Sequence, residues 1–280
     1  MHAMHELYLH RKSLSTTEFR ARGWKVIRCE ICRLAQQNCI CDLRTQANSQ
    51  CSFLLIMADN EVLKPSNTGR LIADVIPDTH AFIWHRTEPN QALLDVLNDQ
   101  KYQPFLIFPS EYAHPEQVVH TEKPKIMATD KMPLFILIDS TWRQAKRIFR
   151  KSDYLANIPM VSIESALDIA TTTTSKDNSC DSQPVTLVDV AEPCANESNE
   201  FTTNFDSRYQ LRKTEKAGQL ATAEVAAKVL RLFGDTDSAK LLDLWFDVFS
   251  YRYQKGVKQM NKANPMAVAN LQSYLDTSKQ

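Results

Sequence analysis

The segment Pro133-Leu-Phe-Ile-Leu-Ile-Asp-Ser-Thr-Trp-Arg-Gln-Ala-Lys-Arg-Ile-Phe-Arg-Lys151 constrains the fold more than any other stretch. Its five consecutive apolar residues, Leu134 to Ile138, read as a strand buried on both faces. The character then changes within one turn. Asp139, Ser140 and Thr141 are residue types that cap helix N-termini, because their side-chain oxygens accept the first unpaired N–H groups. Beyond Trp142, Arg143, Lys146, Arg147, Arg150 and Lys151 share one helical face. The unit is a buried strand, a polar corner holding an acid and an indole, and a helix with a cationic side. Sites in open α/β sheets form beyond the carboxyl ends of strands, which is where Asp139 falls. The plainer reading of the same residues is an ordinary cap before a solvated helix.

Similar strand–helix units precede it. Ser52–Ala58, Ala81–Trp84 and Pro104–Phe108 read as strands, with helices around Leu71, Ile72 and Val75 (short and amphipathic) and over Gln91–Leu97. Met160–Ile163 reads as a fifth strand. The fold class is therefore α/β, a mainly parallel sheet with helices on both faces. Thr222–Phe233 reads as a helix stopped by Gly234, and Ala239–Lys262 as a longer one burying Leu242, Trp245, Phe249 and Tyr253. Only five glycines are present, with no Gly-x-Gly-x-x-Gly and no phosphate loop, so dinucleotide and P-loop chemistry are not expected.

Cys29-x2-Cys32-x6-Cys39-x-Cys41 places four of seven cysteines within thirteen residues. Four thiolates can close a tetrahedral structural zinc site, although the Cys-x-Cys half is tight, and four reduced thiols are the alternative. Cys51, Cys180 and Cys194 have no partner spacing. The basic residues 1 to 28 read with this cluster as a loop-rich appendage. The boundaries expected are 1–50 for the metal module, 51–235 for a catalytic α/β domain and 236–280 for a helical extension. Acids and bases balance at 33 each, but 164 to 206 hold nine acids against Lys176. Setting these aside leaves 32 bases against 24 acids, a basic body suited to a phosphate-bearing partner. Residues 165–206 read as a flexible acidic insert without chemistry. No apolar run is long enough to span a membrane and the amino terminus lacks an export signal, so a cytoplasmic protein without an obligate protein partner is expected.

The cysteine cluster, Lys64-Pro-Ser-Asn-Thr-Gly69, Phe108-Pro-Ser-Glu111, Asp139-Ser-Thr-Trp142, Tyr209-Gln-Leu-Arg-Lys213 and Thr222-Ala-Glu224 occur in an order that resembles the DTW-domain family. That resemblance implies a tRNA-uridine aminocarboxypropyltransferase that uses S-adenosylmethionine as donor. It also implies a SPOUT-like fold whose sheet is knotted. On this reading Asp139, Thr141 and Trp142 are the candidate catalytic residues. Asp139 serves either as base towards the uridine imide or as a hydrogen-bond partner of the donor's amino group. Trp142 stacks on a base or the sulfonium, or else packs in the core. Asn67, Thr68, Gly69, Pro109, Ser110, Glu111 and Ser140 are candidates for binding the donor. Arg143, Lys146, Arg147, Arg150, Arg212 and Lys213 are candidates for tRNA phosphates, and Cys29, Cys32, Cys39 and Cys41 for zinc that extends the tRNA surface or staples the amino terminus. An RNA methyltransferase and a non-catalytic zinc-containing RNA-binding protein are the rival readings.

Overall fold

The apolar runs of the sequence become parallel strands in a computed structural model, which describes residues 2–17, 19–20, 23–124, 130–163, 220–257 and 260–278. The strands are β1 (Ser52–Met57), β2 (Thr79–Ile83), β3 (Tyr102–Ile107), β4 (Val119–His120), β5 (Met132–Asp139) and β6 (Met160–Val161). They pair in the order β2-β1-β5-β3-β6-β4, and every pairing is parallel. β5 is inserted between β1 and β3, with Met57 level with Asp139. The chain runs from β1 outwards to β2, then returns to the other side of β5, so the end of β5 lies where the winding direction reverses.

Central strands bury both faces, which is why β1 is buried throughout and apolar from Phe53 to Met57. Phe53, Leu55, Met57, Phe105, Phe135 and Leu137 point to one side, and Leu54, Ile56, Leu106, Leu134 and Ile136 to the other. β2 is an edge strand and buries only alternate residues. Pro104 is tolerated inside β3 for a reason of register. By alternation its missing N–H points, like that of Leu106, towards β6, which pairs only from Leu106 onwards.

The first face is covered by α1 (Ala3–Ser13), α3 (Gly69–Val75), α6 (Thr222–Phe233), α7 (Thr236–Lys255) and α8 (Ala267–Thr277). The short helix α2 (Asp59–Val62) follows β1. The second face is covered by α4 (Gln91–Asn98) and α5 (Trp142–Arg150) through Leu93, Ala145, Ile148 and Phe149. Phe135 stands between Phe53 and Phe233, with ring centroids 5.4 and 4.6 Å away. Truncating a ring so enclosed costs about 3–5 kcal/mol.

Several expectations need correction. The amino terminus is not merely loop-rich: α1 inserts Met4 into the core, and Arg11 grips Asp59 with two hydrogen bonds of 2.5 and 2.7 Å. α3 is not amphipathic but wholly buried, because α7 covers the side the pattern leaves to solvent. Its charges survive there because they are paired. Asp74 meets Arg70 at 3.5 Å, His2 at 3.0 Å and the indole N–H of Trp245 at 3.1 Å. Burial alone would raise the Asp74 pKa, and these partners outweigh it and hold it low. The long C-terminal helix stops at Lys255, before Gly256, and α8 follows. The expected fifth strand is confined to Met160–Val161, and β4, also two residues long, is shorter than periodicity can detect. The acidic insert 165–206 lies outside the described residues. So does the chain path from 164 to 219, on which the knotted part of the expected topology depends.

Candidate active site

Asp139 closes β5 at the reversal point, and the structure seals it in rather than opening it to solvent. Its residue is only 3% exposed. Asn67 Nδ2 donates to Asp139 Oδ2 at 2.7 Å, and the hydroxyl of Thr222 donates to Asp139 Oδ1 at 2.9 Å. One carboxylate thus joins the loop after α2 to the first residue of α6. The loop is ordered by its own sequence. Lys64 pairs with the buried Glu61 at 2.7 Å, the Asn67 N–H donates to the Lys64 carbonyl, and Asn67 Oδ1 accepts the Arg70 N–H at 3.0 Å. Gly69 admits the carboxylate because it has no Cβ, and its backbone torsions are ordinary. Both carboxylate oxygens are thus engaged, and the side chain fastens two distant segments of the chain together.

Thr141 occupies the cap position of α5 with extended backbone torsions, but its hydroxyl donates to Gln144 (2.8 Å) and caps no N–H. Ser140 donates to the Thr141 carbonyl at 3.1 Å. Trp142 is half-buried and stacks on Phe108, with centroids 5.5 Å apart and planes 21° apart. Tyr112 meets the same indole edge-on at 5.8 Å, and Phe108 stacks in turn on Phe149. An aromatic group therefore spans the carboxyl ends of β3 and β5. Beyond it, Arg143, Arg147 and Arg150 are exposed on α5 and Lys151 just after it, while Lys146 lies 5.5 Å over the Tyr112 ring.

The cysteines converge. Cys29 Sγ lies 3.5 Å from Cys39 Sγ and 3.7 Å from Cys41 Sγ, and Cys32 Sγ lies 3.7 Å from Cys39 Sγ. All four sulfurs fall within 4.8 Å of one another. A tetrahedral ion at the usual Zn–S distance would separate its sulfurs by about 3.8 Å, so the cluster can hold a metal ion and its spacing suits zinc. These separations are far beyond a disulfide bond. Burial raises the Cys29 thiol, but the amides of Cys32 and Ile31 and the thiols of Cys39 and Cys41 outweigh it and bring it down to about 7. Burial pushes Cys32 and Cys41 up, and neighbouring sulfurs add to the effect.

Of the residues singled out from sequence, Asn67, Gly69 and Asp139 are in direct contact, and Thr68 is buried beside them. Pro109 precedes a short 3-10 turn, Ser110–Tyr112, in which Ser110 and Glu111 are exposed on the rim. The Ser110 N–H reaches Ser162 Oγ at 3.4 Å. Arg212 and Lys213 lie outside the described residues. Sequence reasoning missed Thr222, Phe108 and Tyr112 as site residues, although Thr222 and Phe108 stand inside motifs already noticed. It also missed Glu61, which only its burial reveals.

A family model described as the DTW domain matches residues 26–254. No solved structure matches the chain. Among the described residues no helix is long and apolar enough to cross a membrane.

Proposed function

The chain belongs to the DTW-domain family, whose members modify tRNA, and on that premise we propose that it transfers the 3-amino-3-carboxypropyl group of S-adenosylmethionine to N3 of a tRNA uridine. The supporting observation is the corner in which Asn67, Asp139 and Thr222 are pinned together at the reversal point of the sheet. It lies in the chain between the strand core and an aromatic, cationic helix surface.

In this reaction an N–C bond forms at the donor's γ-carbon as the C–S bond breaks. The electron pair goes to sulfur, methylthioadenosine leaves, and the N3 proton passes to solvent. The sulfonium makes three carbons electrophilic, so the protein's main task is to orient one of them. Correct alignment of two reactants contributes roughly 7–11 kcal/mol. Asp139 acts here as a positioning residue that fixes two chain segments around the donor. Thr68, Ser110 and Ser140 offer polar groups along the same edge. Trp142, backed by Phe108 and Tyr112, offers a ring face to a nucleobase or a cation. Arg143, Arg147 and Arg150 contact tRNA phosphates, which position without specifying sequence. The cysteine cluster holds a structural zinc ion, closed to substrate because no coordination position is left open.

Mass analysis of nucleosides from tRNA incubated with the protein and S-adenosylmethionine tests this reading. A uridine heavier by the aminocarboxypropyl group, with methylthioadenosine released, is the expected result. S-adenosylhomocysteine in its place identifies a methyltransferase. Binding of tRNA without consumption of the donor identifies a non-catalytic protein.

A further inference from the structure

Arg33 directly follows the second cysteine of the cluster and has a positive φ of 63°. For an arginine this left-handed conformation is strained, and glycine is the residue that adopts it freely. The surrounding turn imposes it. The Arg33 N–H donates to the Cys29 carbonyl and the Cys29 N–H to the Leu34 carbonyl, both at 2.9 Å, and Arg28 bridges to Ala35. The conformation aims a buried guanidinium away from the cluster and at the next segment of the fold. Arg33 Nη1 donates to the Val62 carbonyl at 2.7 Å, and Nη2 to the Leu63 carbonyl. These carbonyls end α2, where helix groups lack internal partners. The guanidinium carbon lies 4.0 Å from the centroid of the Tyr8 ring of α1. Four residues beyond Leu63 is Asn67, whose amide holds Asp139.

We propose that Arg33 is a positioning residue that couples metal occupancy of the cysteine cluster to the order of the Lys64–Gly69 loop. This rests on the reading above only in taking that loop as part of the donor site. A metal ion ties Cys29 to Cys32 and so keeps the turn closed and Arg33 in its strained conformation. Without the ion the turn opens, Arg33 relaxes to an ordinary φ, and its two bonds to the end of α2 are lost. The loop that carries Asn67 then loses one of its supports. The remaining supports, among them the grip of Arg11 on Asp59 and the bond of Asn67 to Asp139, involve no residue of the cysteine turn.

The test uses the full-length zinc-loaded protein with Arg33→Gly, which suits the positive φ of the turn and deletes only the side chain. Amide hydrogen exchange over residues 58–70 is read with and without chelator, alongside zinc content and calorimetric affinity for S-adenosylmethionine. The variant is expected to keep its zinc and to exchange about tenfold faster in this segment, as expected for loss of charge-assisted bonds. Chelated wild type should exchange at the same rate, and chelation should add nothing there in the variant. Arg33→Lys, which can reach one carbonyl, should restore part of the protection. Wild-type exchange in the zinc-retaining Gly variant overturns the proposal, as does equal loosening by chelator in both proteins. Loss of zinc from the Gly variant overturns it too, because Arg33 would then govern the turn rather than be governed by it. Faster exchange with unchanged donor affinity supports the clamp and counts against the donor-site reading alone.

Discussion

Gly69 and Asp139 are packed so closely that a Cβ on residue 69 would stand 3.1 Å from Asp139 Cγ and nearer still to Oδ2. The contact joins the end of β5 to the start of α3 across 70 residues of sequence. It explains a glycine whose backbone angles any residue could adopt.

Gly69→Ala should therefore destabilise the protein by about 1–3 kcal/mol, the usual cost of overpacking a filled site. Because the clash is with one side chain, most of that cost should vanish in an Asp139→Ala background. Denaturant midpoints for the two single variants and the double variant measure the coupling. Additive effects would show that position 69 resists alanine for another reason.

Asp139→Asn keeps the shape and exchanges one acceptor oxygen for a donor. Asn67 cannot turn its amide to compensate, because its Oδ1 already accepts the Arg70 N–H. The variant amide must keep its oxygen towards Asn67 and turn its NH2 to the Thr222 hydroxyl, which then accepts instead of donating, so two charge-assisted bonds become neutral ones at a cost of about 1–3 kcal/mol. The expected kinetic signature is a KM for S-adenosylmethionine that rises more than kcat falls. A fall in kcat alone, with donor binding intact, would make Asp139 the base instead.

Much of this arrangement was legible in the sequence because burial on two faces leaves a plain mark. Leu134–Ile138 and Phe53–Ala58 could be little else than central strands, and Asp139 at the end of one of them was already conspicuous. What could not be read was set by contacts distant in the chain. Nothing local in Gly69–Val75 says that α7 will cover its polar side and bury Arg70 and Asp74. Thr222 meets Asp139 from 83 residues away. Phe108 reads as core, and its stack with Trp142 emerges only once β3 and β5 lie side by side. Arg33 looks like one more base in a basic segment until its φ is known.

At the amino edge of the sheet Asp78 accepts hydrogen bonds from Lys101 (2.7 Å), Ser52 (2.8 Å) and Tyr102 (2.9 Å). Burial would raise its pKa, but these partners outweigh it and leave it below 3.8. A depressed carboxylate stabilises the fold above its unfolded pKa and loses that contribution as pH falls through its folded value. Asp78→Asn should thus cost stability at pH 7, by no more than about 1 kcal/mol for a half-exposed pair. The difference from wild type should shrink below pH 4. Urea unfolding between pH 7 and pH 3 checks both the sign and the window.

One zinc ion per chain is the expected elemental analysis, and Cys41→Ser should lower occupancy steeply. Zinc uptake must displace protons from Cys32 and Cys41, whose thiols are pushed up, whereas Cys29 loses its proton near pH 7. The depressed Cys29 contributes at high pH and ceases to as pH falls through about 7. Apparent zinc affinity should therefore rise from pH 6 to pH 8, with proton release seen in lightly buffered titrations. Affinity flat across that range would mean that thiolates are not the ligands.

The cationic side of α5 is the surface that the proposed function assigns to tRNA. Arg147 and Arg150 are both exposed, and Arg150 donates to the Lys146 carbonyl of its own helix at 3.3 Å. Arg147→Glu with Arg150→Glu removes two positive charges and adds two negative ones without touching the core. If each arginine neutralises one phosphate, the slope of log affinity against log salt should fall in magnitude by about 1.4–1.8. Affinity at low salt should drop at least about tenfold, with the loss shrinking as salt rises and screening takes over. The stacked Trp142 side chain gives the contrast. Trp142→Ala should weaken tRNA binding or product formation with the salt slope unchanged, because a ring face offers stacking and no charge. An unchanged slope in the arginine double variant would move the tRNA surface off this helix, whatever the fate of catalysis.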